Sequence, residues 1–410
     1  MRGAALPSAK PLTRTPGHLA AVCCKSIVSA TDERFPALVD RAAVRYSWHM
    51  DVGRENTENL AAIVFPGQGS QRSGMALDFV EQFSEARQIL DQASSELGLD
   101  VESILRDEDP RLNLTEYTQP CILTAEIAMH ESLKARFDLR ADYFAGHSLG
   151  EYAALVAAGA LPFGVAVKLV RARGRLMQSA VSPGQGAMSA VILENLPFAE
   201  VSALAQSLGV DIANDNSIHQ VVLSGAAKGV AEANAALAER FQNVSIRVVP
   251  LEVSAPFHSR QMKGIESEFR GLLSAASSEI RAERATHVAS NYTGAFHTGK
   301  LEDLIEALTL QISGQVRWRD NMTALLQQTS RVYEIGPGRP LTGFFKTLGQ
   351  PVTAITDLRT ARRAFPSLGE AGSGTAQNSA EAPAIMLAAA SSSTASAIPE
   401  TFAQSAQAQN

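Results

Sequence analysis

Cysteine is scarce: Cys23, Cys24 and Cys121 are the only three in 410 residues, and none forms a CxxC pair or joins a His/Cys cluster at zinc spacing. A disulfide scaffold and a structural metal site are therefore not expected. Long apolar runs are missing as well, since the richest stretch, residues 152–169, is broken by Gly159, Pro162 and Gly164. A membrane-spanning helix needs about 18 or more uninterrupted apolar residues, so a soluble chain with no membrane partner is expected. There is no basic excess either: 36 Lys+Arg stand against 42 Asp+Glu, a net charge of −6. Phosphate contacts need a basic surface, which argues against a nucleic-acid partner. What remains is the balance of a globular enzyme, 45% hydrophobic and 19% charged, long enough for two or more domains or subdomains.

The ends differ from the middle. Residues 1–59 form an N-terminal extension, expected to be poorly ordered or a targeting segment, in which Arg2, Lys10, Arg14 and Lys25 precede the first acid, Asp32. Such a start reads either as an organelle transit peptide or as an extension with no targeting role; the expected location is cytoplasmic, with an organelle matrix as the alternative. Residues 370–410 are rich in Ala, Ser, Gln and Gly and are expected to be disordered.

The middle alternates short apolar runs with helical periodicity. Residues 61–65 read as a buried strand stopped by Pro66-Gly67, 79–97 as a helix capped by Gly98, and 119–137 as an amphipathic helix with Pro120 near its start. A strand at 142–145 runs through Gly146 into a helix over 148–158, which points to an α/β architecture with a mainly parallel sheet. Over 181–254 the predicted order is β-α-β-β-α-β, with strands at 187–193, 211–213, 220–224 and 245–250 and helices at 197–208 and 229–241, the order of a ferredoxin-like unit. The fold expected is a large α/β-hydrolase-like domain, residues 60–180 and 255–362, with a small ferredoxin-like subdomain inserted at 181–254.

Gly146-His147-Ser148-Leu149-Gly150 matches G-x-S-x-G in the strand-turn-helix context that exposes a nucleophilic serine. Ser148 needs a base, and His258, in a loop beyond a strand at the return into the large domain, is the candidate. His147 adjoins the serine but would face away; His219, His287 and His297 stand in polar loop contexts and read as solvated. The third member of a triad stays open: Asp211 and Asp215 lie between serine and histidine but in the inserted unit, so an amide or a main-chain carbonyl could orient the histidine instead.

Phe65-Pro66-Gly67-Gln68-Gly69-Ser70-Gln71, Tyr117-Thr118-Gln119-Pro120, the serine motif with Glu151-Tyr152, Arg173-Gly174-Arg175-Leu176-Met177-Gln178, Gly186-Ala187-Met188, Asn216-Ser217, Pro256-Phe257-His258-Ser259, Gln311 with Trp318, and Glu334-Ile335-Gly336-Pro337-Gly338 occur in order. Together they closely resemble the malonyl-CoA:acyl-carrier-protein transacylases, over roughly residues 63–358. The resemblance implies an acyl-serine on Ser148, His258 as base, and the main-chain N–H groups of Gln68 and Leu149 as the oxyanion hole. It implies that Gln311 orients the histidine through its main-chain carbonyl and that Asn216 lies near the substrate. Arg173 is implied to pair with a malonyl carboxylate, assisted by Gln119, while Lys168, Arg171 and Arg175 on the same helix read as solvated. Met188 is implied to wall the pocket, and Phe257, where relatives selective for methylmalonyl carry a serine, favours malonyl. The implied partners are malonyl-CoA and a holo acyl carrier protein; no cofactor, no metal and a monomer are expected. Because carrier proteins are acidic, Arg317, Arg319, Arg339 and Lys346 are candidates for a basic docking rim. The alternative is a serine acyl hydrolase that edits carrier-protein thioesters, which would share Ser148 and His258 but has no evident use for Arg173.

Overall fold

The computed structural model describes residues 60–106, 108–253 and 255–366. The expectations for residues 1–59 and 370–410 lie outside the described residues. Eight strands are described: β1 Ala62–Phe65, β2 Tyr143–Gly146, β3 Gly186–Ile192, β4 Asp211–Ser217, β5 Gln220–Ala226, β6 Arg247–Pro250, β7 Val332–Ile335 and β8 Val352–Ile355. They form two sheets.

The first sheet is wholly parallel, in the order β2-β1-β7-β8. All four residues of β1 are buried, as a strand covered on both faces requires. The chain leaves β1 toward β2 on one side and later returns to β7 on the other, so the C-terminal ends flanking β1 form the crevice where open α/β sheets bind ligands. The register pairs Phe65 with Gly146, which sets the Pro66-Gly67-Gln68 turn beside the serine turn.

The second sheet is antiparallel, in the order β4-β5-β3-β6. Helices Phe198–Ser207 and Ala227–Arg240 pack against it through Val201, Val230 and Leu237, which meet Val191 and Val221 in a separate apolar cluster. This sheet is fastened to the larger body along β4: Asp215 N–H donates to the Val316 carbonyl at 3.0 Å, and Val316 N–H to the Ala213 carbonyl at 2.8 Å.

Three elements differ from expectation. The helix expected over 79–97 is two helices, Leu77–Gln82 and Ser84–Leu97, because Phe83 between them is extended; Gly98 does close the second in the left-handed conformation. The helix with Pro120 starts at Thr115, so the proline is the sixth residue inside it. The helix is also buried on nearly every side rather than amphipathic. Strand β4 runs on to Ser217, past the expected end at 213, with irregularities between Ile212 and Asn214 and between Asp215 and Ser217.

Candidate active site

Ser148 sits between β2 and the helix Gly150–Ala157, which begins two residues later than expected. Its φ of 53° is left-handed, a conformation that costs a non-glycine residue about 1–3 kcal/mol and persists only where the surroundings enforce it. The surroundings are tight: a Cβ on Gly146 would lie 1.8 Å from the main-chain carbon of Gly150, and one on Gly150 would lie 2.2 Å from the Phe65 carbonyl oxygen. Only glycine permits this approach of strand, turn and helix.

His258, also left-handed at φ 55°, brings Nε2 to 2.7 Å from Ser148 Oγ. Its Nδ1 lies 2.8 Å from the main-chain carbonyl oxygen of Gln311, at the C-terminal end of helix Leu301–Leu310. A carbonyl can only accept, so Nδ1 carries the proton and Nε2 is free to take the serine proton. Among the described residues no carboxylate contacts the ring. Asp211 instead binds Arg260, and Asp215 binds Arg319 at 2.8 Å. Burial first, and the charge of Arg173 second, push the imidazole down to about 3, so it is neutral at physiological pH.

Arg173, on helix Phe163–Ser179, is buried against the same serine. Nη1 donates to Gln119 Oε1 at 2.9 Å; Nη2 donates to Gln311 Oε1 at 2.8 Å and to Ser148 Oγ at 3.1 Å. The Tyr152 ring lies 5.6 Å below the guanidinium. Among the described residues no carboxylate pairs with this cation and its Nε has no partner. A buried guanidinium held only by neutral acceptors is a ready receptor for an anion. On the same helix Arg175 is exposed, but Arg171 bonds the Leu97 carbonyl and Lys168 pairs with Glu96.

Ser148, His258, Arg173 and Gln119 line a cavity of about 110 Å³ together with Gln68, Met188 and Phe257. Among the described residues, the main-chain N–H groups of Gln68 and Leu149 have no hydrogen-bond partner. Asn216 does not line this cavity. Its Oδ1 meets Nε2 of His147, which does line it, at 2.8 Å. His147, half-buried, itself lines the cavity, and its ring packs 5.6 Å from that of Trp318.

A polar network beneath the serine was not anticipated. Asn291 Oδ1 accepts from Ser148 N–H at 2.6 Å, and its Nδ2 donates to the Gly146 carbonyl and to Asn321 Oδ1. Glu151, fully buried, meets Gln311 Nε2, Asn291 N–H and His297 Nε2. His297 is thus buried rather than solvated, a correction whose cause is this carboxylate. Of the four rim candidates, Arg317 pairs with Asp320 and Arg319 with Asp215, while Arg339 and Lys346 are exposed.

A family model described as the acyl transferase domain matches residues 62–329. The malonyl CoA-acyl carrier protein transacylase of Bacillus subtilis (strain 168) is 38% identical over 316 residues, covering 75% of this chain and 97% of that protein. The solved structure of FabD from Acinetobacter baumannii is similar with a TM-score of 0.70 at 36% identity, covering 75% of this chain and 98% of that one. A complex described as a type II PKS acyl-carrier protein with its malonyl-transacylase gives 0.68 at 32%, covering 75% and 99%. Among the described residues, no helix is long and apolar enough to cross a membrane.

Proposed function

The chain belongs to the acyl transferase domain family, and from that premise and the site geometry we infer that it moves a malonyl group from malonyl-CoA to the phosphopantetheine thiol of an acyl carrier protein. The observation that carries this reading is the guanidinium of Arg173, bonded to no carboxylate among the described residues and placed 3.1 Å from the Ser148 hydroxyl in a small pocket. An acyl group ending in a carboxylate, seated on Arg173 and Gln119, presents its thioester to the serine. The hydrolase alternative leaves this cation without a task.

In our reading His258 Nε2 takes the Ser148 proton as Oγ attacks the thioester carbon. The oxyanion is met by the N–H groups of Gln68 and Leu149, both otherwise unpaired and both at the pocket wall. Collapse breaks the carbon–sulfur bond, and the imidazolium returns its proton to the departing CoA sulfur. The carrier thiol then repeats the sequence on the acyl-serine, giving up its proton to His258 while Ser148 regains one. Gln311 orients the imidazole in place of an acid. Met188 and Phe257 narrow the pocket against branched acyl groups, a discrimination worth about 1–3 kcal/mol per methylene.

We also read residues 60–180 and 255–362 as the catalytic domain and 181–254 as an inserted ferredoxin-like subdomain. The βαββαβ order and the antiparallel strand order β4-β5-β3-β6 support this reading.

Incubation with radiolabelled malonyl-CoA should label the protein, and Ser148→Ala should abolish the label; persistent labelling would refute the nucleophile. Arg173→Ala should lower malonyl loading by roughly ten- to a hundred-fold, as expected on losing a charge-assisted bidentate partner, while sparing acetyl loading. An unchanged malonyl-to-acetyl ratio would refute its role.

A further inference from the structure

We propose that Glu151, clamped by His297, is a positioning residue that fixes the base His258 and the guanidinium of Arg173 together, by dictating the orientation of Gln311. This rests on the acyl-transfer reading above for the task of Arg173.

Gln311 touches His258, Arg173 and the main chain of Ser148 at once. Its main-chain oxygen takes His258 Nδ1 at 2.8 Å, its Oε1 takes Arg173 Nη2 at 2.8 Å, and its Nε2 donates to the Ser148 carbonyl at 2.9 Å and to Glu151 Oε2 at 2.7 Å. A side-chain amide can sit either way round unless its neighbours decide. Here they do: guanidinium only donates and carboxylate only accepts, so oxygen must face Arg173 and nitrogen must face Glu151. Replacing the carboxylate with an amide weakens that constraint, because an amide can present its own donors to Gln311 and only the Ser148 carbonyl is left as an obligate acceptor for its nitrogen. A turned Gln311 would set an NH₂ group against Arg173 and disturb the carbonyl on which the histidine rests.

The same carboxylate braces the serine turn. Glu151 Oε2 accepts from Asn291 N–H at 3.1 Å, and Asn291 Oδ1 holds Ser148 N–H at 2.6 Å. The other oxygen, Oε1, meets His297 Nε2 at 2.9 Å. Without that ring Oε1 would be a buried acceptor lacking a partner, which costs more than an unmade bond at the surface.

The placement of charge has a further use. Glu151 is the anionic counterpart of Arg173 but is held one amide away from it. Direct pairing would occupy the guanidinium donors; separation through Gln311 offsets the charge in the core and leaves Arg173 open to a substrate carboxylate.

The test uses Glu151→Gln, His297→Leu, which deletes the clamp, and His297→Gln, which retains a donor, each checked for folding by circular dichroism. Two rates are measured: phosphonylation of Ser148 by a fluorophosphonate probe, which reads base-activated serine whatever the natural substrate, and single-turnover malonyl against acetyl loading. We expect Glu151→Gln and His297→Leu to slow labelling by roughly ten-fold or more, the usual scale for losing an orienting partner, and to lower the malonyl-to-acetyl ratio. His297→Gln should stay within about three-fold of the wild type. Wild-type labelling and selectivity in folded Glu151→Gln and His297→Leu overturn the proposal, as does equal loss in His297→Gln, which would mean packing rather than hydrogen bonding. If Glu151→Gln does not fold, the two His297 variants decide. If the wild-type protein is labelled by the probe yet transfers no malonyl group, the acyl-transfer reading fails, while the labelling rates still judge the positioning.

Discussion

In the proposed mechanism His258 is the base, and its surroundings suit it to that: burial and the neighbouring Arg173 push its imidazole down to about 3, against the opposing pull of the Gln311 carbonyl. A base loses activity only as pH falls through its folded-state pKa, so between pH 8 and pH 5 the ring keeps its free Nε2. The single-turnover rate of Ser148 malonylation should therefore be flat over that range, measured by rapid quench. An acid limb centred near 6.5, the ordinary histidine value, would refute the account. Removing the charge in Arg173→Ala should move the limb upward, toward the ordinary value. At this scale the sequence was readable where chemistry is local. Ser148 lies in a contiguous turn and His258 beside a strand end. The role of Arg173 came only through resemblance, since a helix arginine has no local mark that it is buried. Glu151, Asn291, Asn321 and His297 were opaque for one reason: each is held by partners remote in the chain, as with Glu151 and His297, 146 positions apart. A histidine flanked by polar residues looks solvated until the buried carboxylate is seen.

The element that decides the site is the strand-turn-helix at 143–157, and its tolerance is set by contacts no side chain could make room for. Gly150 approaches the Phe65 and Pro66 carbonyl oxygens so closely that a Cβ would lie 2.2 and 2.8 Å from them. Gly150→Ala must push the helix away from the end of β1, separating Leu149 from the Gln68 turn, the two proposed donors to the oxyanion. We expect fluorophosphonate labelling of Ser148 to fall by roughly ten-fold or more even in folded protein, because losing one oxyanion donor alone costs about 10²–10³ in rate. Labelling within two-fold of the wild type would show that the turn can relax. Apolar runs and glycine punctuation made β1, β2 and this helix legible within one or two residues. Legibility failed where tertiary contacts overrode local signals. Asn214-Asp215-Asn216 lies past the expected strand end, yet it is strand: the Val316 carbonyl takes Asp215 N–H, Arg319 pairs with Asp215 Oδ2, and His147 meets Asn216 Oδ1. Pro120 looked like a helix start, but burial of the whole helix carries it back to Thr115.

Across the whole molecule, the helix Thr115–Arg136 meets the parallel sheet at two buried acids, Glu126 and Glu334 of β7. Glu334 is well supplied: it accepts from Leu341 N–H at 2.9 Å, from Thr342 N–H at 2.7 Å and from Thr342 Oγ1 at 2.6 Å, closing the start of helix Pro340–Lys346. Glu126 has no partner on either oxygen among the described residues. Burial first, and the charge of Glu334 second, hold its carboxyl well above the usual carboxylate range. It therefore stays protonated in the folded protein where the unfolded chain would ionise it. The sign follows from proton linkage: a raised folded pKa contributes stability that is fully present below the unfolded value of 4.5 and is lost as pH rises toward the folded value. Glu126→Gln keeps the shape and removes the ionisation, so its melting temperature should exceed that of the wild type at pH 8, with the gap narrowing steadily toward pH 4.5. Glu334 is present in both proteins and shifts both curves in the same direction, so the difference between them isolates Glu126. Thermal melts at pH 5, 6.5 and 8 measure it; a gap that does not change with pH would mean that Glu126 is ionised in the fold and finds its partner by rearrangement.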